Sequence, residues 1–386
     1  MKRLPMLLLA AAASLPAVAG AQGLTMQMSN GWKFTFSGNV NAFAVYSSDA
    51  NGGRKNFNIR TGLLPGFAVF DAKGKEEGLD LGIHVGFAPE IQNNGQVHDG
   101  LAQIDMRQLY LTVGMKSGWQ ILAGRELGVF SRQNILNDMT LYGTGAQGGV
   151  QGGGTTLGRI GYGYIYPNFN SQISFTSPAG RSWQLTLGAF QPSVRATGFT
   201  FVQTPRIEAE LTLSPQMSGK SRATVWGGFL WQSTKNAPTG GTSISATGFT
   251  AGGRISMGSG VAVTASAYTG TGLGTTFLFQ GGQANAANQR KSDGGYAQAT
   301  YTAGRTTFGA SYGISRLKGA GTASSDATTK SIGQVSSWTF GAYHQWTRSL
   351  KLVGEITREI NDLGGFANPL TGPNRTDVSA GLMLFF

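Results

Sequence analysis

From Trp32 to Tyr46 the chain reads WKFTFSGNVNAFAVY, and its residues sort by parity. Even positions carry Trp32, Phe34, Phe36, Gly38, Val40, Ala42 and Ala44; odd positions carry Lys33, Thr35, Ser37, Asn39 and Asn41. A period of two is the mark of a β-strand with one apolar and one polar face. Strands of globular proteins average about five or six residues. This one is more than twice that length, and its apolar row is rich in aromatics. A tilted strand crossing a bilayer has those properties.

The pattern returns along the chain. Leu79, Leu81, Ile83, Val85 and Phe87 alternate with Asp80, Gly82, His84 and Gly86, and Ile207, Ala209, Leu211 and Leu213 alternate with Arg206, Glu208, Glu210 and Thr212. The last row, Val378, Ala380, Leu382, Leu384 and Phe386, runs to the C-terminus. Connections between rows alternate in length. Lys116-Ser117-Gly118, Gly258-Ser259-Gly260 and Gly304-Arg305 are tight, whereas QSTKNAPTGGTS, QGGQANAANQRKSD and LKGAGTASSDATTKSIG are long and polar. Tight turns on one side and large loops on the other are the asymmetry of a transmembrane barrel. The expected fold is therefore all-β, an antiparallel transmembrane barrel of about 16 strands, the second over 56–70 and the sixth over 159–177.

Hydrocarbon offers no partner to a bare backbone, so such a sheet must close on itself. Glycine, 60 of 386 residues, lets long strands coil and bend around the closure. Trp32, Tyr46, Trp119, Trp183, Trp231, Trp338, Trp346 and Phe386 fall near strand ends, where interfacial aromatic girdles lie. A soluble sandwich would have shorter strands, and a solenoid would show a fixed repeat.

The first 21 residues stand apart. Lys2 and Arg3 precede a run rich in Leu and Ala, and Ala19-Gly20-Ala21 has the form of a signal-peptide cleavage site. The expected division is a signal peptide, 1–21, and a pore domain, 22–386. Beyond residue 21 no stretch approaches the roughly 18 apolar residues that a membrane helix needs. The chain has no cysteine, so no disulfide framework holds it. Its formal charge of +12 falls to +10 when Lys2 and Arg3 leave with the signal. No Lys/Arg run with interleaved aromatics supports nucleic-acid binding. Small anions and acidic lipid head groups are the expected partners.

The segment MRQLYLTVGMKSGWQILAGR, Met106 to Arg125, resembles the general porins of Gram-negative outer membranes. The matching positions are Arg107, Gln108, Tyr110, Gly114, Trp119, Gly124 and Arg125; Gly158-Arg159 and the terminal Phe386 are similar to further family features. The resemblance implies an outer-membrane homotrimer among lipids and lipopolysaccharide, each 16-stranded barrel narrowed by a third loop folded inward. It also implies wall cations at Arg60, Arg125 and Arg159, and a loop carboxylate at Asp138. From Ser131 to Gly158 Asp138 is the sole acidic residue; Arg132 adds a cation, and Glu126 lies beside Arg125. Such a constriction is poor in carboxylate and rich in guanidinium. Arg125 follows Trp119, Ile121 and Ala123 on the apolar row, so reaching the lumen requires a bend at Gly124.

The stretch YGTGAQGGVQGGGTT spells a dinucleotide-binding turn at Gly143, Gly145 and Gly148. It follows no hydrophobic strand and opens no helix, as a phosphate cradle must. A loop turning back inside a barrel needs the same glycine.

Catalytic constellations are thin. The three histidines, His84, His98 and His344, are scattered, no metal-ligating cluster or cofactor motif is present, and His84 with Asp80 is a lumen-facing pair at most. Glu208 and Glu210 with Arg206 read as a solvated inner wall. The function expected is passive diffusion of small polar solutes with an anion preference. The alternatives are a channel specific for aromatic carboxylates, with Tyr110, Tyr142 and Tyr162 stacking on solute, and a barrel that anchors a hydrolase or an adhesin.

Overall fold

The computed structural model describes residues 23–50, 53–91, 104–147, 154–180, 182–193, 199–283, 289–320, 333–362 and 374–386. The expected signal segment lies outside them. The strands are β1 (Leu24–Gln27), β2 (Lys33–Asp49), β3 (Lys55–Arg60), β4 (Phe67–Glu76), β5 (Leu79–Pro89), β6 (Ile104–Gly114), β7 (Gln120–Leu127), β8 (Phe169–Thr176) and β9 (Trp183–Phe190). They continue as β10 (Arg206–Leu213), β11 (Arg222–Lys235), β12 (Ser243–Ser256), β13 (Val261–Thr271), β14 (Lys291–Ala303), β15 (Thr306–Lys318), β16 (Gly333–Gln345), β17 (Leu350–Asp362) and β18 (Arg375–Phe385).

Each strand from β4 onward pairs antiparallel with the next, and β18 returns to β2 with Val378 opposite Tyr46 and Leu384 opposite Val40. β3 and β4 together form one barrel strand, since both pair with β2, opposite its far and near halves. The result is a closed 16-stranded antiparallel barrel. β1 is a short addition. β4 occupies one side of Lys33–Asn39, so β1, pairing Leu24 with Phe36 and Met26 with Phe34, takes the side that β18 leaves bare beyond Asn39.

Burial is inverted relative to a soluble domain. Leu109, Phe340 and Leu382 are exposed, whereas Glu208, Thr357 and Ser337 are buried. Their strands alternate between the two classes, as the apolar and polar rows of the sequence require. Only lipid makes the outward row favourable. Trp119, Trp183, Trp338, Trp346 and Phe386 are exposed, as a girdle requires; Trp32 and Trp231 are partly covered.

The chain departs from the expected strands in two places. The second strand, expected unbroken over 56–70, leaves the ladder at residues 61–66. Gly62 N donates to Asn41 Oδ1 at 2.9 Å, and Asn41 Nδ2 donates to the Leu64 carbonyl at 2.9 Å, so β2 holds the excursion in place. The sixth strand begins at Phe169, ten residues after the expected start at 159. Residues 158–166 alternate in sequence but fold as turns, because Gly158, Gly161 and Gly163 adopt φ of +57°, +78° and +150°. Successive left-handed residues of this kind turn the chain out of a ladder.

Candidate functional site in the barrel lumen

The segment between β7 and β8 is the third loop, and its described residues, 128–147 and 154–168, lie inside the barrel. It carries a short helix, α1 (Arg132–Leu136), and a turn of 3-10 helix, Met139–Tyr142, capped by Asp138. Its apolar residues Ile135, Leu141, Ile160 and Tyr164 form one buried cluster with Leu63 and Leu64 of the excursion and Phe43 and Val353 of the wall. Leu63 N and Leu64 N donate to the carbonyls of Gly143 and Leu141, so the broken strand grips the loop. Residues 272–283 also turn inward: Leu273, Leu278 and Phe279 pack on Phe130 and Ile165, and Thr276 O accepts from Tyr166 N.

A folded loop leaves backbone N–H groups without helix or sheet partners, and buried donors must be satisfied. Wall carboxylates supply the acceptors. Glu208 accepts from Phe130 N at 2.9 Å, Glu355 from Thr144 N and Gly145 N, and Glu359 from Gln147 N at 2.7 Å and Tyr162 OH at 2.6 Å. Glu210 binds Arg132 at 2.6 Å. The Glu208–Glu210 wall is therefore buried under the loop rather than solvated.

The residues expected at the constriction are placed as follows. Arg159 is fully buried; its Nε donates to Ser311 Oγ at 2.9 Å, Nη2 to Ser311 O at 2.8 Å and Nη1 to Ser337. Asp138 accepts from Thr140 N and Oγ1, Arg159 N and Tyr164 OH. Burial pushes the Asp138 carboxyl above the usual range, against the pull of Arg159 and the Thr140 and Tyr164 bonds. Arg60 is buried and donates to Gly154 O at 2.7 Å. Glu126 accepts from Gln108 Nε2 at 2.8 Å and from Leu127 N. Gly124 adopts φ of +136°, and Arg125, opposite lipid-exposed Leu109, is half-buried.

Tyr162 is buried on Glu359, Tyr110 stacks on His84 with centroids 4.6 Å apart, and Tyr142 lies under Lys351, whose Nζ stands 3.9 Å from the ring centroid. Burial pushes the Tyr142 hydroxyl up to about 12. His84 pairs with Asp71 across the sheet at 2.9 Å, not with Asp80, which pairs with Lys75.

Two cavities flank the loop. One, of about 570 Å³, is lined by Asp138, Met139, Tyr142, Arg254, Gln298, Tyr343 and Lys351, and it reaches Gly260 in a tight turn. Its charged lining is two cations and the enclosed Asp138. Arg254 Nε reaches only Ser256 Oγ, at 3.3 Å, and neither Arg254 nor Lys351 has a carboxylate partner among the described residues. Sequence reasoning missed both, although Thr250, Gly252 and Arg254 share a row, as do Lys351, Val353 and Glu355. The other cavity, of about 260 Å³, lies between the 61–66 excursion and the loop, and is lined mostly by apolar residues with Arg107 among them.

Comparisons with known proteins follow this architecture. The fold is similar to the outer membrane channel DcaP of Acinetobacter baumannii, at 15% identity and a TM-score of 0.68, covering 94% of this chain and 99% of that one. It is similar to an anion-selective porin from Comamonas acidovorans at 13% identity and a TM-score of 0.66, with 92% and 100% covered. Salmonella typhi OmpF, solved with daunomycin, matches at 12% identity and a TM-score of 0.62, with 94% and 100% covered. A search of curated protein sequences gives no significant match. A family model described as Gram-negative porin matches residues 8–363, and the chain belongs to that family, a β-barrel porin of the outer membrane.

Proposed function

We propose that this porin passes small polar solutes by diffusion and favours anions, acting as a channel rather than as an enzyme or an adhesin anchor. The supporting observation is the division of lumenal charge. Glu208, Glu210, Glu355 and Glu359 are buried and hold the loop, while Arg254 and Lys351 line the larger cavity with no carboxylate partner there. In a narrow, low-dielectric passage, unpaired cations raise the local anion concentration and offset part of the hydration an anion sheds. The reading thus moves the electrostatic filter from Arg60, Arg125, Arg159 and Arg132 to Arg254 and Lys351.

One structural neighbour bears the words anion-selective in its own description, and another, OmpT of Vibrio cholerae, is described in a trimer form. The proposed assembly is a homotrimer among outer-membrane lipids and lipopolysaccharide, with residues 1–21 removed on export and 22–386 forming the barrel. The test is the reversal potential of the reconstituted protein across a salt gradient. Anion preference that declines in Arg254→Gln and Lys351→Gln supports the reading; cation preference in the unaltered protein overturns it.

A further inference from the structure

The smaller cavity is unlike the rest of the lumen. A wet barrel interior is polar, yet here Leu63, Leu64, Leu136 and Leu141 line open space of about 260 Å³. Apolar surface facing water is unfavourable, and a dry cavity of roughly 150 Å³ already takes benzene. The space holds one ring and a substituent.

A cation reaches the same cavity through a sheet irregularity. β5 pairs Gly86 with Gln108 but Phe87 with Met106, so Arg107 is the extra residue of a β-bulge. Bulges re-aim side chains, and this one turns Arg107 to the lining. Its guanidinium lies 5.6 Å from the Phe169 ring centroid and 3.5 Å from Tyr166 OH, and Nε binds Asp105, whose carboxylate is half exposed. Nη2 makes no hydrogen bond among the described residues. Tyr166 in turn meets Phe277 edge-on. An apolar chamber thus ends in an aromatic collar around a guanidinium with a free donor.

We propose that this chamber binds a small aromatic monocarboxylate, its ring against Leu63, Leu64 and Leu141 and its carboxylate on Arg107. The proposal rests on the channel reading only in making such an acid a permeant solute; the binding itself is separate. It places recognition at the bulge and the broken strand, away from Tyr110, Tyr142 and Tyr162.

The experiment is calorimetric titration of the detergent-solubilised protein with benzoate, acetate and benzyl alcohol, alongside single-channel recording in chloride with benzoate added. Benzoate should bind, while acetate, lacking the ring, and benzyl alcohol, lacking the charge, should each bind at least about tenfold more weakly. Arg107→Gln should weaken benzoate by about tenfold or more, since charge-assisted bonds are the strong ones. Arg107→Lys should restore part of the affinity, and Arg222→Gln, at an exposed strand end away from both cavities, should leave it unchanged. Sheet content by circular dichroism verifies that each variant is folded, and Leu64→Ser provides a second variant that keeps the cation. Equal affinity for acetate, or benzoate binding indifferent to both Arg107→Gln and Leu64→Ser, overturns the proposal. Conductance without benzoate binding also overturns it while leaving the channel standing; binding without conductance upholds the site and removes the channel.

Discussion

Glu355 on β17 and Thr144 in the third loop are 211 residues apart, yet the Glu355 carboxylate accepts the Thr144 backbone N–H at 2.7 Å. The same oxygen takes the Gly145 N–H at 2.8 Å. The wall thus holds the loop through charge acceptors facing backbone donors, and the lumen loses accessible negative charge as a consequence.

Glu355→Ala should loosen the loop. It strands two buried N–H groups, each costing about 1–3 kcal/mol when unsatisfied. The expected outcome is a lower thermal unfolding midpoint together with a noisier single-channel current. Glu355→Gln keeps an acceptor of the same shape and should show less than half of either effect. A current as quiet as the parent's in Glu355→Ala would refute the anchoring role.

Reversing the charges of the larger cavity should reverse its preference. The double variant Arg254→Glu with Lys351→Glu replaces two cations by two anions in a space of about 570 Å³. Zero-current potentials across a salt gradient should change sign. In the parent protein the preference should shrink with salt, because screening length falls from about 8 Å at physiological ionic strength to about 3 Å at 1 M. A selectivity that is constant over that range would point to size or dehydration in place of charge.

The wall was legible in the sequence because lipid outside and water inside write a period of two on every strand. Trp32 to Tyr46 matches β2 closely, and Val378 to Phe386 matches β18. The lumen was harder to read. Residues 158–166 keep strand-like alternation, but Tyr162 and Tyr164 use it to reach Glu359 on the wall and Asp138 within the loop, with glycines turning between them. Arg159, a wall cation by the resemblance, is a buried brace between Ser311 and Ser337. Which cation stays free depends on partners hundreds of residues away, and no local pattern records that. Arg107 was visible as a motif residue, but its bulge was not.

Gly62 stands where the broken strand touches the loop. A Cβ there would lie 2.3 Å from the Gly143 carbonyl oxygen and 2.8 Å from the Phe43 ring. Gly62→Ala must therefore displace the excursion from the loop backbone, and overpacking of this kind costs about 1–3 kcal/mol. Gly180→Ala is the comparison, since its φ is +83° with no atom within 4 Å of a new Cβ. That change costs only the left-handed backbone, about 1–2 kcal/mol. Thermal unfolding should fall in both variants, but channel noise and benzoate affinity should change only in Gly62→Ala. Equal behaviour in the two would mean that the excursion does not position the loop.

The C-terminal residue closes the seam. Phe386 N donates to Gly38 O at 3.1 Å, Gly38 N donates to Phe386 O at 2.9 Å, and the Phe386 ring packs on Phe36 with centroids 5.2 Å apart. Deleting Phe386 removes both bonds at the junction of β18, β1 and β2 and bares strand edge toward lipid, where an unpaired backbone group costs several kcal/mol. Phe386→Ala keeps the bonds and loses only the ring contact. Two effects of the terminal residue can therefore be separated in purified protein refolding into lipid vesicles, where no assembly machinery is present. Deletion should slow or prevent formation of the compact, heat-modifiable barrel on gel electrophoresis, and Phe386→Ala should fold nearly as the parent does. If both variants refold like the parent in vesicles and fail only in cells, the residue acts through recognition by the assembly machinery and not through closure of the sheet.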